Sequence, residues 1–245
     1  MTLTAMGLVL AGAFAGGMVN GLTGFGTGMT ALPIWVSVLP PVLASPLTVA
    51  CSVVGQLQTL PAIWHAIDLR RLAPFVIGGV VGVPVGVMLL PRVDAHAFRM
   101  FVGVMLIVTC ALLLAKPGRI AWKKGGRIAD GAIGLAGGVL GGLAGLSGIL
   151  PTLWAELRGW EKDERRAVFQ GYNLSILAFA LASQAGAGLL DARTGFLLVI
   201  ALPGTVVGAW IGRRMYARLD TRRFGRVVLA VLLAGGVGIV ATGWR

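Results

Sequence analysis

Charge is scarce in this sequence. No Asp, Glu, Lys or Arg precedes Asp68, and only 12% of the 245 residues are charged, about half the share in a soluble domain. Charge-free stretches recur at 72–91, 100–115, 131–155, 167–190, 194–212 and 227–244. A helix needs about 20 apolar residues to cross a hydrocarbon core, whereas a soluble fold would scatter charge through its helices. The reading is an all-α, polytopic membrane protein. Cysteine is also scarce: Cys51 and Cys110 each lie in an apolar stretch, which fits buried thiols and indicates neither a disulfide nor a metal site. His65 and His96 are isolated. No Asp, Glu, Lys or Arg stands well inside an expected span, so no intramembrane proton relay, ion-pair switch or catalytic centre is evident, and no cofactor is expected. No Lys or Arg precedes the first apolar run, so that run reads as a retained helix rather than a cleaved signal peptide. The net charge of +12 sits in short loops without an aromatic platform. Contact with anionic lipid headgroups accounts for it better than nucleic acid does.

Glycine, in contrast, is abundant at 38 residues. Small-residue runs at Gly12–Gly16 and Gly134–Gly138 read as helix-packing faces. Elsewhere glycine forms a repeat. Gly21-Leu22-Thr23-Gly24-Phe25-Gly26-Thr27-Gly28, followed by Pro33 and Trp35, is echoed by Gly142-Leu143-Ala144-Gly145-Leu146-Ser147-Gly148, followed by Pro151 and Trp154. Three long helical stretches follow each copy, at about 44–66, 72–90 and 97–115, then at about 164–187, 194–212 and 224–243. The expected layout is a first transmembrane repeat over 1–115, a basic cytoplasmic linker over 116–127 and a second repeat over 128–245.

Basic residues favour the cytoplasmic side of a membrane. If each half begins with an even number of crossings, or a hairpin that enters and returns, Lys and Arg divide 17 against 4 between the two sides. If the glycine motif only interrupts one crossing helix, they divide 9 against 12. The first arrangement segregates charge and the second does not. It makes the two halves inverted repeats, with both termini outside and the linker in the cytoplasm. The stretch 131–155 has 25 residues, too few for two full crossings. A hairpin of two half-length helices with the glycine motif at its tip fits, and two short tilted spans stay open.

Irregular backbone at membrane depth is tolerated only where protein buries it or where it lines a cavity. Each break precedes a further helical segment, beginning near Thr27 and near Gly148. A helix N-terminus offers unpaired N–H groups and the positive end of its dipole. Two such ends meeting at the midplane would bind an anion without a cationic side chain. Gly24, Gly26, Gly28, Gly145 and Gly148 would let the backbone approach the ligand, and Thr23, Thr27 and Ser147 would add hydroxyls. Asn20 stands just before the first motif. Thr48, Ser52 and Gln56 share one helical face, and Gln170 and Asn173 are neighbours on another. These residues either line the site or join helices by hydrogen bonds.

The duplicated motif, its spacing and the two-half layout resemble the sulfite exporter TauE/SafE family of membrane transporters, over essentially the whole chain. Two departures are Gly26-Thr27-Gly28 and Leu146-Ser147-Gly148, where that family often carries a glycine triplet. The resemblance implies transport of sulfite, thiosulfate, sulfoacetate or a related organic anion across the bacterial cytoplasmic membrane. The function expected is therefore a secondary transporter or facilitator working by alternating access. An anion channel and, further off, a membrane-embedded enzyme are the alternatives. A small anion and membrane lipids are the expected partners, and a homo-oligomer stays open.

Overall fold

Five of the long helices begin where a side chain or a proline satisfies the first turn. The computed structural model describes residues 2–24, 26–62, 65, 67–114, 126–158, 162–216 and 221–243. Among these are ten α-helices and no strand. Helix α1 (Leu3–Thr23) starts at Thr2, whose hydroxyl accepts from the Ala5 N–H, and it ends at Gly24 in the left-handed conformation. Helix α2 (Thr27–Trp35) is nine residues long. Helix α3 (Pro41–Thr59) opens on proline, which has no N–H to leave unpaired. Asp68 caps α4 (Leu69–Leu89) by accepting from the Arg70 N–H at 2.9 Å. Asp94 precedes α5 (Ala95–Leu114) and accepts from the backbone of His96 and Ala97. The second half repeats this order as α6 (Gly126–Ala144), α7 (Ile149–Leu157), α8 (Lys162–Gly186), α9 (Ala192–Tyr216) and α10 (Thr221–Gly243). Asp191 caps α9 through the Thr194 N–H. Hydrogen bonds from the Ala97 and Thr194 backbones, respectively, hold the Asp94 and Asp191 carboxyls below the usual carboxylate range.

Packing is exchanged between the halves. The most extensive interfaces join α4 to α6 and α1 to α9. Both are glycine-lined, and in both the helices run parallel. Gly78, Gly82 and Gly86 of α4 lie against the carbonyls of Gly131, Leu135 and Val139. Each step advances four residues on both helices. Gly17 and Gly21 of α1 advance along Thr205 and Ala209 of α9 in the same way. A Cβ on Gly78 would stand 2.0 Å from the Gly131 oxygen, so the spacing itself depends on the missing side chain.

Leu3–Thr23, Pro41–Thr59, Leu69–Arg92, Ala95–Leu114 and Ala192–Met215 are long and apolar enough to cross a membrane. Ile77, Met88 and Val199 stand on such helices with 64–71% of their surface exposed, as suits a lipid-facing belt. The chain is a multi-pass membrane protein.

The glycine-broken units differ from the expected pair of half-length helices. Their arms are unequal, 21 and nine residues in the first half and 19 and nine in the second. Alanine, valine and leucine between the glycines of 7–21 keep α1 continuous. The chain breaks only where Gly24 and Gly26 adopt φ of 81° and 105°. Residues 116–125 of the predicted linker lie outside the described residues, and α6 begins at Gly126.

Candidate functional site

The two breaks share a geometry. Gly24 ends α1 at φ 81° with its N–H on the Asn20 carbonyl at 2.7 Å, and Gly145 follows α6 at φ 70° with its N–H on the Gly141 carbonyl at 2.9 Å. Left-handed backbone of this kind disfavours any residue with a Cβ. The breaks also touch: a Cβ on Gly28 would stand 2.8 Å from the Gly145 oxygen. One small cavity, about 20 Å³, lies between them. Gly26, Thr27 and Gly28 at the start of α2 line it, as do Gly145 and Gly148 just before α7. Asn20 contributes from α1, Ser52 and Gln56 from α3, and Asn173 from α8. Among the described residues, no charged residue lines it.

Its polar atoms are unevenly satisfied. Asn20, Thr27, Ser52 and Gln56 are all at least 97% buried. Within them the Asn20 Nδ2, Thr27 Oγ1, Ser52 Oγ and Gln56 Oε1 atoms have no hydrogen-bond partner among the described residues. Buried polar atoms are nearly always paired, and leaving one unpaired costs about 1–3 kcal/mol. Four around one cavity mark a place that a polar ligand would complete. The carbonyl at the C-terminus of α1 would repel an anion, but amides from both halves cover it. Gln56 and Gln170 donate through Nε2 to the Gly24 oxygen at 3.0 and 2.9 Å.

Four of the predicted site residues do not line the cavity. Gly24 lies behind it as the shared acceptor of the two glutamines, so Gln170 acts through that carbonyl. The Thr23 hydroxyl turns back to the Val19 carbonyl at 2.8 Å. Ser147 is fully buried and donates to Asn173 Oδ1, which fixes an amide that does line the cavity. Other polar residues bond within their own helix or join helices. The Thr48 hydroxyl donates to Ala44 within its own helix, the Ser175 hydroxyl to Gly171, and Gln184 bridges Ser45 and Gly142. Met29, Leu146 and Ile149 also line the cavity. Sequence reasoning missed them, because an apolar residue beside a glycine motif carries no chemical signature beyond its position.

Each short helix is tied back by its tryptophan. Trp35 Nε1 donates to the Val9 carbonyl at 3.0 Å, and Trp154 Nε1 donates to Asp130 Oδ1 at 2.7 Å. Arg158 also reaches Asp130, at 3.3 Å. Asp130 is thus a buried acid that the charge-free pattern did not anticipate, placed one turn into α6 with its partners supplied by α7 and the residue after it. Among the described residues, no group of His, Cys, Asp and Glu could hold a metal ion, and Cys51 and Cys110 are buried free thiols.

Among known protein families, the model of the sulfite exporter TauE/SafE family matches residues 8–239. No curated protein and no solved structure matches the chain.

Proposed function

The chain belongs to the sulfite exporter TauE/SafE family, membrane transporters of sulfite or related anions, and on that premise we propose that it carries a small sulfur oxyanion or sulfonate through the cavity between its two glycine breaks. The observation that carries this reading is the set of donors without a partner among the described residues, Asn20 Nδ2, Thr27 Oγ1 and Ser52 Oγ, around a cavity whose described lining holds no charged side chain. Each helix N-terminus is equivalent to roughly half a positive charge, so α2 and α7 together offset about one negative charge. A monoanion suits that balance better than a dianion. The unpaired Gln56 Oε1 is an acceptor and would receive the proton of an oxyanion that carries one.

Two inverted repeats, 1–115 and 128–245, joined by the basic linker 116–127, would work by alternating access. The exchanged pairing of α1 with α9 and of α4 with α6 supports a two-fold relation between them. The division of Lys and Arg supports termini outside and the linker inside a bacterial cytoplasmic membrane. Gln170 and Ser147 hold the Gly24 carbonyl and the Asn173 amide in place without touching the anion.

Flux into proteoliposomes tests the proposal, with sulfite, thiosulfate, sulfoacetate and an unrelated carboxylate, with and without a pH gradient. We expect saturable uptake of at least one sulfur anion, accelerated by the same anion on the opposite side. Ohmic single-channel current would replace the carrier with a pore. Absence of flux for every sulfur anion would overturn the substrate class.

A further inference from the structure

Away from the cavity, the paired N-termini of α4 and α6 form a basic depression that continues into an apolar furrow. Arg70, Arg71, Arg127 and Arg158 surround the depression together with Asp68 and Asp130. Asp68 pairs with Arg71 at 3.5 Å and Asp130 with Arg158 at 3.3 Å. Both acids are therefore matched, and the exposed side chains of Arg70 and Arg127 make no ion pair with any described residue. These two arginines and Pro74 also border the furrow, which runs on between the helices past Ile77 and Ile128 to Leu135. Its floor is the close glycine contact of α4 with α6. Ile128 is 90% exposed and Ile77 68%, so apolar surface is presented outward beside two unmatched cations.

Because α4 and α6 are parallel, the furrow has a polar end and an apolar body. From Ile128 to Leu135 the body rises about 10 Å along the helix. The two helix N-termini at the polar end also favour an anion. A water-soluble anion would meet the arginines but has no use for the furrow, and an uncharged lipid would fill the furrow without matching the arginines. The chain's own segment 116–125 is a poor occupant. It carries Lys116, Arg119, Lys123 and Lys124 and no acid, so it repels the same arginines. We propose that this groove is a binding site for one anionic phospholipid, with its phosphate between Arg70 and Arg127 and an acyl chain in the furrow beside Ile77 and Leu135. Basic clefts between membrane helices are a physical match for such headgroups.

The test uses native mass spectrometry of the full-length protein with phosphatidylglycerol and phosphatidylcholine as probes. Wild type is compared with Arg70→Gln/Arg127→Gln and with Arg99→Gln/Arg193→Gln, which removes the same charge from exposed positions elsewhere. Size-exclusion profiles confirm that each variant is folded. We expect wild type and the second variant to retain phosphatidylglycerol in preference to phosphatidylcholine. The first variant should lose that preference by on the order of tenfold. Leu135→Trp, which fills the furrow and leaves the arginines, should weaken phosphatidylglycerol as well. Equal loss in the two double variants would mean diffuse surface charge and overturn the site. No loss in Arg70→Gln/Arg127→Gln would do so too. Displacement of the lipid by millimolar inorganic phosphate, with Leu135→Trp unaffected, would reassign the arginines to a soluble anion.

Discussion

Gly28→Val is expected to abolish anion flux while the protein remains inserted and folded. Gly28 sits in the first turn of α2, and its backbone is not in the left-handed region, so valine meets no conformational penalty there beyond its ordinary helix propensity. The obstacle is space. An added Cβ would lie 2.8 Å from the Gly145 oxygen, 3.0 Å from Leu146 Cδ2 and 3.4 Å from Thr48 Cγ2. The first of these is backbone of the opposite break and cannot rotate aside. Two further methyl carbons must then enter the cavity or push the breaks apart. Overpacking of this kind costs about 1–3 kcal/mol, below the total stability of about 5–15 kcal/mol typical of folded proteins. Folding survives and the site does not. Gly28→Ala should show an intermediate loss. Gly24→Val and Gly145→Val should also stop transport, but their φ of 81° and 70° adds about 1–2 kcal/mol of backbone strain to each. Gly28 separates filling the site from straining the chain. Wild-type flux through Gly28→Val, with a normal melting temperature, would place the substrate elsewhere.

The second large effect pairs a gain with a loss. Thr27→Val keeps the branched shape and removes a hydroxyl that is 99% buried and unpartnered, and Ser52→Ala does the same for a hydroxyl that is 97% buried. In the empty protein each hydroxyl is a desolvated group with nothing to bond. Removing both should therefore leave stability unchanged or raise it, by up to about 1 kcal/mol each. With the anion bound, each hydroxyl becomes a donor to a charged acceptor, worth about 1.5–3 kcal/mol. The double variant should melt at or above the wild-type temperature, with KM raised roughly a hundredfold or more. Hydroxyls that served only to join helices would give the reverse, a lower melting temperature and an unchanged KM.

Much of the fold follows from where charge is missing. The stretches 72–91, 100–115 and 194–212 became α4, α5 and α9 because a helix crossing lipid admits almost nothing else. The positions of the breaks were also readable, since glycine clusters with a following proline recur at matched places. The length of the arms was not. Gly12, Gly16 and Gly17 resemble the break in composition, yet they serve close packing against Trp35, Thr27 and Thr205, and no local signal distinguishes the two uses. Spacing placed Thr48, Ser52 and Gln56 on one face, but it could not show that Thr48 turns its hydroxyl back to Ala44 while Ser52 leaves its own unpaired. That choice depends on which neighbour each side chain meets after packing. For the same reason Gln170 read as lining the cavity, although its Nε2 is engaged by the Gly24 carbonyl and only its Oε1 stays unpaired among the described residues. Asp130 lies at the edge of a charge-free run, and only the fold brings Trp154 and Arg158 onto it.

The central claim is that donors at the two breaks hold one anion between them. A structure determined with selenite, a selenium oxyanion whose position anomalous scattering locates independently, tests it most directly. A single selenium site is expected in the cavity, within hydrogen-bonding reach of Thr27 and Ser52 and facing the first turns of α2 and α7. Selenium bound only at surface arginines, with the cavity between Gly28 and Gly148 empty, would contradict it.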